Sequence, residues 1–182
     1  MSQNNYNTLI IENLLKSSNH VRGIAEDIGT NQTTVSRKLQ ELHKANIVDY
    51  RYEGKNKVYF LKRSLEAKQY ACIAELQKAI RIINNHPFMR KIFEELRKNE
   101  NIHLAILFGS YAKGNPDRNS DIDIYIETTD PNLKKQAERI DSRIRAKIGK
   151  FDKDNILIKE IQKSHVIIKG VEEYYEKNSV PE

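Results

Sequence analysis

Two closely spaced aspartates are the residues of this chain whose type and spacing best suit chemistry with metal ions and phosphates. Asp121 and Asp123 lie in an apolar run, and Gly109-Ser110 precedes them with ten residues between. Side chains alternate between the faces of a strand, so both carboxylates share one face, with Cα atoms about 6–7 Å apart. Such a pair can share hard divalent cations such as Mg²⁺, and the pattern therefore predicts a metal site.

The Gly-Ser pair suits phosphate binding. Glycine lets the backbone approach a phosphate closely, and Ser110 offers a hydroxyl and an N–H group where a helix starts. Lys113 and Arg118 are candidate further phosphate ligands, and the alternative is that each is a solvated loop charge. Ser120, directly before the first aspartate, is expected to orient the loop rather than to react.

Strands and helices around these residues predict an α+β domain. Residues 103–108 and 122–127 are expected to be buried strands, and residues 131–147 an amphipathic helix. Residues 155–160 (NILIKE) are expected to form a third strand, and VEEYYEK near the end a closing helix. The inner face of the 131–147 helix is predicted to carry Leu133, Ala137, Ile140 and Ile144.

The segment GSYAKGNPDRNSDID resembles the Gly-Ser, ten residues, Asp-x-Asp signature of the polymerase-beta-like nucleotidyltransferase superfamily. More narrowly, about residues 88–177 resemble the minimal nucleotidyltransferases of archaea and bacteria. The resemblance implies that Gly109 and Ser110 hold phosphates of ATP or another NTP, while Asp121 and Asp123 ligate Mg²⁺ or Mn²⁺. It implies transfer of AMP to a protein or small-molecule acceptor, with metal ions clamping the attacking and leaving oxygens.

One departure from that family concerns the third acid. Active members bring a further carboxylate from a later strand, whereas the apolar run of FDKDNILIKE contains none. Asp154 at its start and Glu160 at its end are the nearest candidates for a third catalytic acid, and Asp152 is more remote. Without a third acid, the acceptor hydroxyl loses its base and one metal site is weakened.

The first third of the chain predicts a different kind of domain. Helical patterns at residues 7–16, 21–28 and 32–45 precede two alternating strands, VDYRYE and KVYFLK, which flank Gly54-Lys55-Asn56. Helices joined by a tight turn and followed by a basic hairpin are typical of a winged helix-turn-helix. Residues 5–63 resemble the winged-helix segments of bacterial and archaeal transcription regulators.

Double-stranded DNA is the partner that this resemblance implies. Residues 1–63 hold ten Lys and Arg against six Asp and Glu, so the basic excess is concentrated here. The alternative is a protein-interaction winged helix whose basic residues are merely solvated. The candidate DNA contacts, on the third helix and the hairpin tip, are Gln32, Thr33, Thr34, Ser36, Arg37, Lys38, Lys55 and Lys57.

A long helix is predicted between the two domains. Ile73, Leu76, Ile80 and Ile83 repeat at a spacing typical of a coiled-coil seam, although for only about one and a half heptads. The helix either packs on the winged domain or forms a homodimer. Because the residue before a proline avoids the helical region, His86-Pro87 ends it. The predicted domains are 1–63, a linker helix at 64–86, and 87–182.

Composition excludes several other classes of protein. The chain has 182 residues with formal net charge +6, no long apolar run and no basic-then-apolar leader, so we expect a cytoplasmic protein without membrane contact. Its single cysteine excludes an internal disulfide and a multi-cysteine zinc site. Two functions remain: a DNA-binding regulator that also transfers AMP, or a regulator with a catalytically inactive, nucleotide-sensing domain.

Overall fold

The computed structural model describes residues 3–178, which form two compact units divided between residues 77 and 78. The predicted α+β class is confirmed. The division falls within helix α4, Leu65–Asn85, at the position of the predicted linker helix. Residues 1–2 and 179–182 of the predicted domains lie outside the described residues. Between residues 3 and 178, no helix is both long and apolar enough to cross a membrane.

The first unit is a three-helix core with a β-hairpin. A short strand before the second helix joins the hairpin to make an antiparallel sheet in the order β1-β3-β2. Its elements are α1 (Gln3–Leu14), β1 (Asn19–His20), α2 (Val21–Asp27), α3 (Gln32–Lys44), β2 (Val48–Glu53) and β3 (Asn56–Leu61), followed by the first part of α4.

Local sequence signals place α3. The Asn31 side chain accepts a hydrogen bond from the Thr34 N–H at 2.8 Å, a standard N-cap. Val35, Leu39 and Leu42 are fully buried along one face and pack with the isoleucines of α1 and α2. Burial of this face fixes which side of α3 stays exposed.

The second unit is a four-stranded mixed sheet with helices. The strand order is β6-β5-β4-β7; β5 and β6 are parallel and the other pairs antiparallel. The elements after α4 are α5 (Met89–Lys98), β4 (Ala105–Phe108), α6 (Gly109–Lys113), β5 (Ile122–Glu127), α7 (Pro131–Glu138), β6 (Ile144–Gly149), α8 (Ile156–Lys163), β7 (Val166–Lys169) and α9 (Val171–Asn178).

The two faces of this sheet differ in chemistry. One face, which includes Leu107, Ile124 and Ala146, is part of the apolar core of the unit. On the other face, the Tyr125 hydroxyl donates to the Gly149 carbonyl at 2.9 Å. Because side chains alternate, Asp123 of β5 lies on this second face.

The prediction of one helix over residues 131–147 is wrong. Helix α7 ends at Glu138, and residues 144–149 form strand β6 instead. Leu133 and Ala137 are buried on α7 as expected, but Ile144 and Ala146 alternate with exposed residues, which is the strand period. The turn between the elements is held by Asp141, which accepts hydrogen bonds from the Arg143 backbone and guanidinium.

The prediction of a strand at residues 155–160 is also wrong, because the segment begins helix α8. The Asn155 side chain accepts from the Leu157 N–H at 2.8 Å and starts the helix. Ile158 and Ile161 are buried three residues apart, while Ile156 is exposed. A short apolar run fits either a strand or a helix, and here the cap decides.

We expect Asp141→Asn to lower the free energy of unfolding by about 1–2 kcal/mol at pH 7, after allowance for solvent screening. Hydrogen bonds from the Arg143 guanidinium lower the pKa of Asp141 from 3.8 to about 2. A lowered carboxyl pKa stabilises the fold above its unfolded value, so this contribution is lost as the pH falls from about 4 towards 2. Urea unfolding at pH 7, 4 and 3 measures it.

The control for that series is Asp154→Asn, which makes the same chemical change at an exposed carboxylate and is expected to shift stability by less than about 0.5 kcal/mol. A difference between wild type and Asp141→Asn that stays constant from pH 7 to pH 3 would contradict the assignment.

Candidate nucleotide site and nucleic-acid interface

Gly109 and Asp123 are in direct contact. Phe108, the last residue of β4, pairs with Asp123 of β5, so the chain turns into α6 directly beside this carboxylate. Gly109 has φ +71°, and a Cβ atom there would collide with the Asp123 Oδ2 atom. Positive φ and the lack of space both require glycine at this position.

Asp121 and Asp123, the acidic pair, lie at the start of β5. Asp121 is exposed just before the strand and Asp123 is half-buried within it, while Ile122 between them is fully buried on the opposite face. Burial raises the pKa of the Asp123 carboxyl, and the charge of Asp121 raises it further. The predicted shared face of the two carboxylates is therefore present.

Arg145 and Lys147, the basic pair, lie beside the acidic pair on strand β6. In the parallel register Arg145 is opposite Asp123, and Lys147 is opposite Tyr125, on the same face of the sheet. The Arg145 Nη2 atom lies 3.3 Å from Asp121 Oδ1. Both cations act to lower the pKa of Asp123, against the effects of burial and of Asp121.

The basic pair lies on β6, which pairs with β5, whereas the third acid is expected from residues 155–160, which form no strand. Sequence reasoning missed the basic pair because β6 was assigned to a helix. The signal was present in IRAKIG, where apolar and basic residues alternate strictly. The strand beside β5 thus supplies two cations and no carboxylate, whereas the resemblance implies a carboxylate on a later strand.

Asp154, a candidate for that third acid, does not lie on a strand. Its carboxylate is 97% exposed in the turn before α8 and lies 3.9 Å from the Lys159 ammonium. It was proposed for its place at the start of a strand, and no strand forms there. Glu160 is nearer, since its charge raises the pKa of Asp123.

Glu160 does not complete a metal centre with the acidic pair. Within residues 3–178, no three His, Cys, Asp or Glu side chains are grouped so that they could hold a metal ion. The Glu160 Oε1 atom instead lies 3.6 Å from the Lys113 Nζ atom. The two carboxylates of the acidic pair, flanked by two cations, do not fit the donor set of a two-metal centre. Binding of Mg²⁺ therefore stays a prediction, and no third protein ligand among the described residues supports it.

The other predicted phosphate ligands lie in or after α6. Ser110 follows Gly109 at the helix start and is partly exposed, and Arg118 is exposed in the loop. The Ser120 hydroxyl oxygen accepts a hydrogen bond from the Asp117 N–H at 2.7 Å, which orients the loop as expected. Their roles in phosphate binding stay predictions.

The exposed face of α3 carries most of the predicted DNA contacts. Gln32, Thr33 and Arg37 are exposed, and Thr34 and Ser36 are partly exposed. The Arg37 guanidinium lies 2.9 Å from a Glu41 carboxylate oxygen, one turn further along the exposed face.

Lys38 requires a correction. It is only 5% exposed, because it follows Val35 by three residues and precedes Leu42 by four, which places it on the buried face. Its ammonium lies 2.7 Å from the other Glu41 carboxylate oxygen. Lys38 therefore does not present its charge to a DNA groove.

The wing is the hairpin of β2 and β3. Lys55 is exposed at its tip. The Lys57 ammonium lies 4.1 Å from the centre of the Tyr50 ring and 5.7 Å from that of Tyr52, so its charge is held over aromatic faces. The Lys57 ammonium thus lies beside two aromatic rings of the wing, and the residue remains exposed.

The predicted seam of α4 is largely exposed. Ile73, Leu76 and Ile80 have 42%, 43% and 55% of their surface exposed, and Ile83 packs partly against the core of the second unit. Three of the four apolar side chains of the predicted seam are therefore not buried by packing of α4 within the chain.

We expect Gly109→Ala to cost more stability than Gly114→Ala by about 1–2 kcal/mol. Both glycines have positive φ, at +71° and +77°, but a Cβ atom at Gly114 meets nothing within 4 Å. Placing alanine at positive φ costs about 1–2 kcal/mol at either position. The additional loss of stability in Gly109→Ala therefore measures the collision with Asp123. Urea unfolding of the two variants measures it.

The double variant Gly109→Ala/Asp123→Ala should recover most of that excess, because the colliding carboxylate is removed. Equal costs at the two glycines, or purely additive effects in the double variant, would contradict the contact.

Comparisons with known proteins agree with both resemblances. Residues 90–175 match the family model described as "Polymerase beta, Nucleotidyltransferase". Residues 8–50 match that described as "Bacterial regulatory protein, arsR family". No curated protein sequence matches the chain.

Two solved structures are similar to part of the chain. The transcriptional repressor BigR from Xylella fastidiosa is 22% identical, covers 39% of this chain and 70% of its own, and has a TM-score of 0.37. The homodimeric winged helix-turn-helix DNA-binding domain Mb0332 from Mycobacterium bovis, described as a possible ArsR-family transcriptional regulator, is 26% identical. It covers 46% of this chain and 76% of its own, with a TM-score of 0.38. Residues 8–50 thus resemble the arsR family of regulators, and residues 90–175 resemble the polymerase beta nucleotidyltransferases.

Proposed function

We propose that this protein is a DNA-binding transcriptional regulator whose second domain binds a nucleotide as an effector and does not transfer it. The observation that carries the proposal is the pairing of Arg145 with Asp121, at 3.3 Å, on the face where a catalytic third acid would be needed. A cation at that place cannot accept a proton from an acceptor hydroxyl, and it competes with a metal ion for the acidic pair.

DNA binding is supported by the exposed face of α3 and by the wing. Arg37 and the polar residues at the start of α3 are exposed, and Lys55 and Lys57 give the wing two cations. The match of residues 8–50 to a family of bacterial regulators supports the same function. Arginine reads base edges or phosphates through several donors, and a lysine on a wing contacts phosphates.

Nucleotide binding is supported by the retained Gly109-Ser110 turn and by the cations around it. Gly109 has no side chain to cover the backbone beside Asp123, so a phosphate can approach it closely. The cations Lys113, Arg145 and Lys147 are all exposed. ATP or another NTP is the effector class we propose, because its phosphates match this group of cations.

We further propose that the protein is a homodimer. The exposed side chains of Ile73, Leu76 and Ile80 lie on one helix at coiled-coil spacing, and two copies would cover this surface. A dimer would also let two winged helices read paired half-sites.

A Mg²⁺-dependent AMP transferase is the second candidate function. It is favoured by the contact of Gly109 with Asp123, which keeps the Gly-Ser turn against the Asp-x-Asp strand. Its acceptor would be a partner protein or a small molecule. The basic pair on β6 is the observation against it.

Incubation with α-labelled ATP, Mg²⁺ and cell extract decides between the two functions. We expect ATP binding, measured by calorimetry, without covalent label on any acceptor. Label transfer by the wild type that disappears in Asp121→Ala/Asp123→Ala would contradict the sensor and establish the enzyme.

For DNA, we expect Arg37→Ala to weaken binding to a duplex that the wild type selects from a random pool. The slope of log affinity against log salt should fall in magnitude by about one, as for one lost phosphate contact, or specificity should relax if Arg37 reads a base. Fluorescence anisotropy across a salt series measures both effects.

The matched control is Lys68→Ala, which removes one charge from an exposed position on α4. Unchanged affinity, salt slope and specificity for Arg37→Ala would contradict the placement of α3 at the DNA.

A further inference from the structure

We propose that Arg145 and Lys147 take the place of the divalent cations, so that this face of the sheet binds the phosphates of a nucleotide directly, without a metal ion. The inference rests on the proposed nucleotide-binding function. In this proposal, the two basic side chains do what the resemblance to nucleotidyltransferases assigns to Mg²⁺, which is to bind the phosphates.

The charges around the acidic pair balance without a metal ion. The groups that act on Asp123 are two further carboxylates, Asp121 and Glu160, and the two cations of the basic pair. Lys113 adds a third cation through its ion pair with Glu160. Three carboxylates thus face three cations, whereas a divalent cation is attracted by an uncompensated group of carboxylates.

Arg145 is held in one position, as a bound metal ion would be. Its Nη1 atom donates to the Ser142 and Ile144 carbonyls at 3.0 and 3.2 Å, and its Nη2 atom reaches Asp121. A guanidinium has five N–H donors, so these contacts leave donors for an anion. The side chain is 54% exposed, which leaves those donors accessible.

The spacing of the basic pair suits a chain of phosphates. Arg145 and Lys147 are two residues apart on β6 and share a face, with Cα atoms about 6–7 Å apart. Arginine binds phosphate through paired N–H groups and lysine as a point charge, so adjacent phosphates of one nucleotide can occupy both.

The first test measures ATP binding by calorimetry with EDTA and with excess Mg²⁺. We expect dissociation constants that agree within about threefold, and an affinity in EDTA that falls about tenfold in Arg145→Gln. Binding only in Mg²⁺ would overturn the metal-free site and leave the nucleotide effector intact. No binding in either buffer would overturn both proposals.

The second test places a third carboxylate on the face of the acidic pair and uses Mn²⁺ alone as the probe. We expect Arg145→Asp to bind Mn²⁺ at least about tenfold more tightly than the wild type, by electron paramagnetic resonance, because three carboxylates then share one face. Circular dichroism checks that the variant is folded.

Lys150→Asp is the matched control, with the same charge change beyond the far end of β6, where the side chain is exposed. An equal gain in Lys150→Asp, or no gain in folded Arg145→Asp, would overturn the proposal. If Arg145→Asp does not fold, the fall in ATP affinity of Arg145→Gln in EDTA decides: a loss supports it and an unchanged affinity overturns it.

Discussion

The parallel pairing of β5 with β6 is the constraint on which the chemistry of the second unit depends. Its register places Arg145 opposite Asp123, and Arg145 reaches Asp121 on the same face. A slip of one residue would turn the basic pair into the apolar core and bring Ile144 or Ala146 to this face. Burial of those two residues therefore fixes the cations beside the carboxylates.

In the function proposed above, the second unit keeps the fold features of a nucleotidyltransferase but not its reaction. The Gly-Ser turn and the Asp-x-Asp strand are kept in contact, while the adjacent strand supplies positive charge. The cations of this face attract phosphates, and they interact with the carboxylates that would otherwise be available as a base. Under the same proposal, the bound nucleotide would act as a signal to which the winged helix of the chain responds.

Much of the fold could be predicted from the sequence because strong local signals agreed with tertiary packing. The N-cap at Asn31 and the apolar spacing of Val35 and Leu39 placed α3, and the Gly109 turn with the acidic pair placed β4 and β5. The errors fell on short apolar runs. Residues 144–149 and 155–160 exchanged strand and helix, because alternation and capping decided the outcome and apolar content did not.

Those two errors also explain which site residues were missed. Arg145 and Lys147 became neighbours of the acidic pair only through pairing of strands, which sequence spacing does not reveal. For Lys38, the prediction included a residue that the structure excludes. Its charge suggested a DNA contact, but its position on α3 buries the side chain, and its ammonium pairs with Glu41. The type of a residue therefore indicates its role only when its position on a strand or helix, and hence the face on which it lies, is also known.

The most direct measurement of the central claim is a crystal structure of the protein with ATP and Mn²⁺, with anomalous diffraction data to locate the metal. The account predicts phosphates in contact with Arg145 and Lys147, and no manganese peak between Asp121 and Asp123. A manganese ion bridging the two aspartates and the phosphates, with Arg145 displaced, would contradict it.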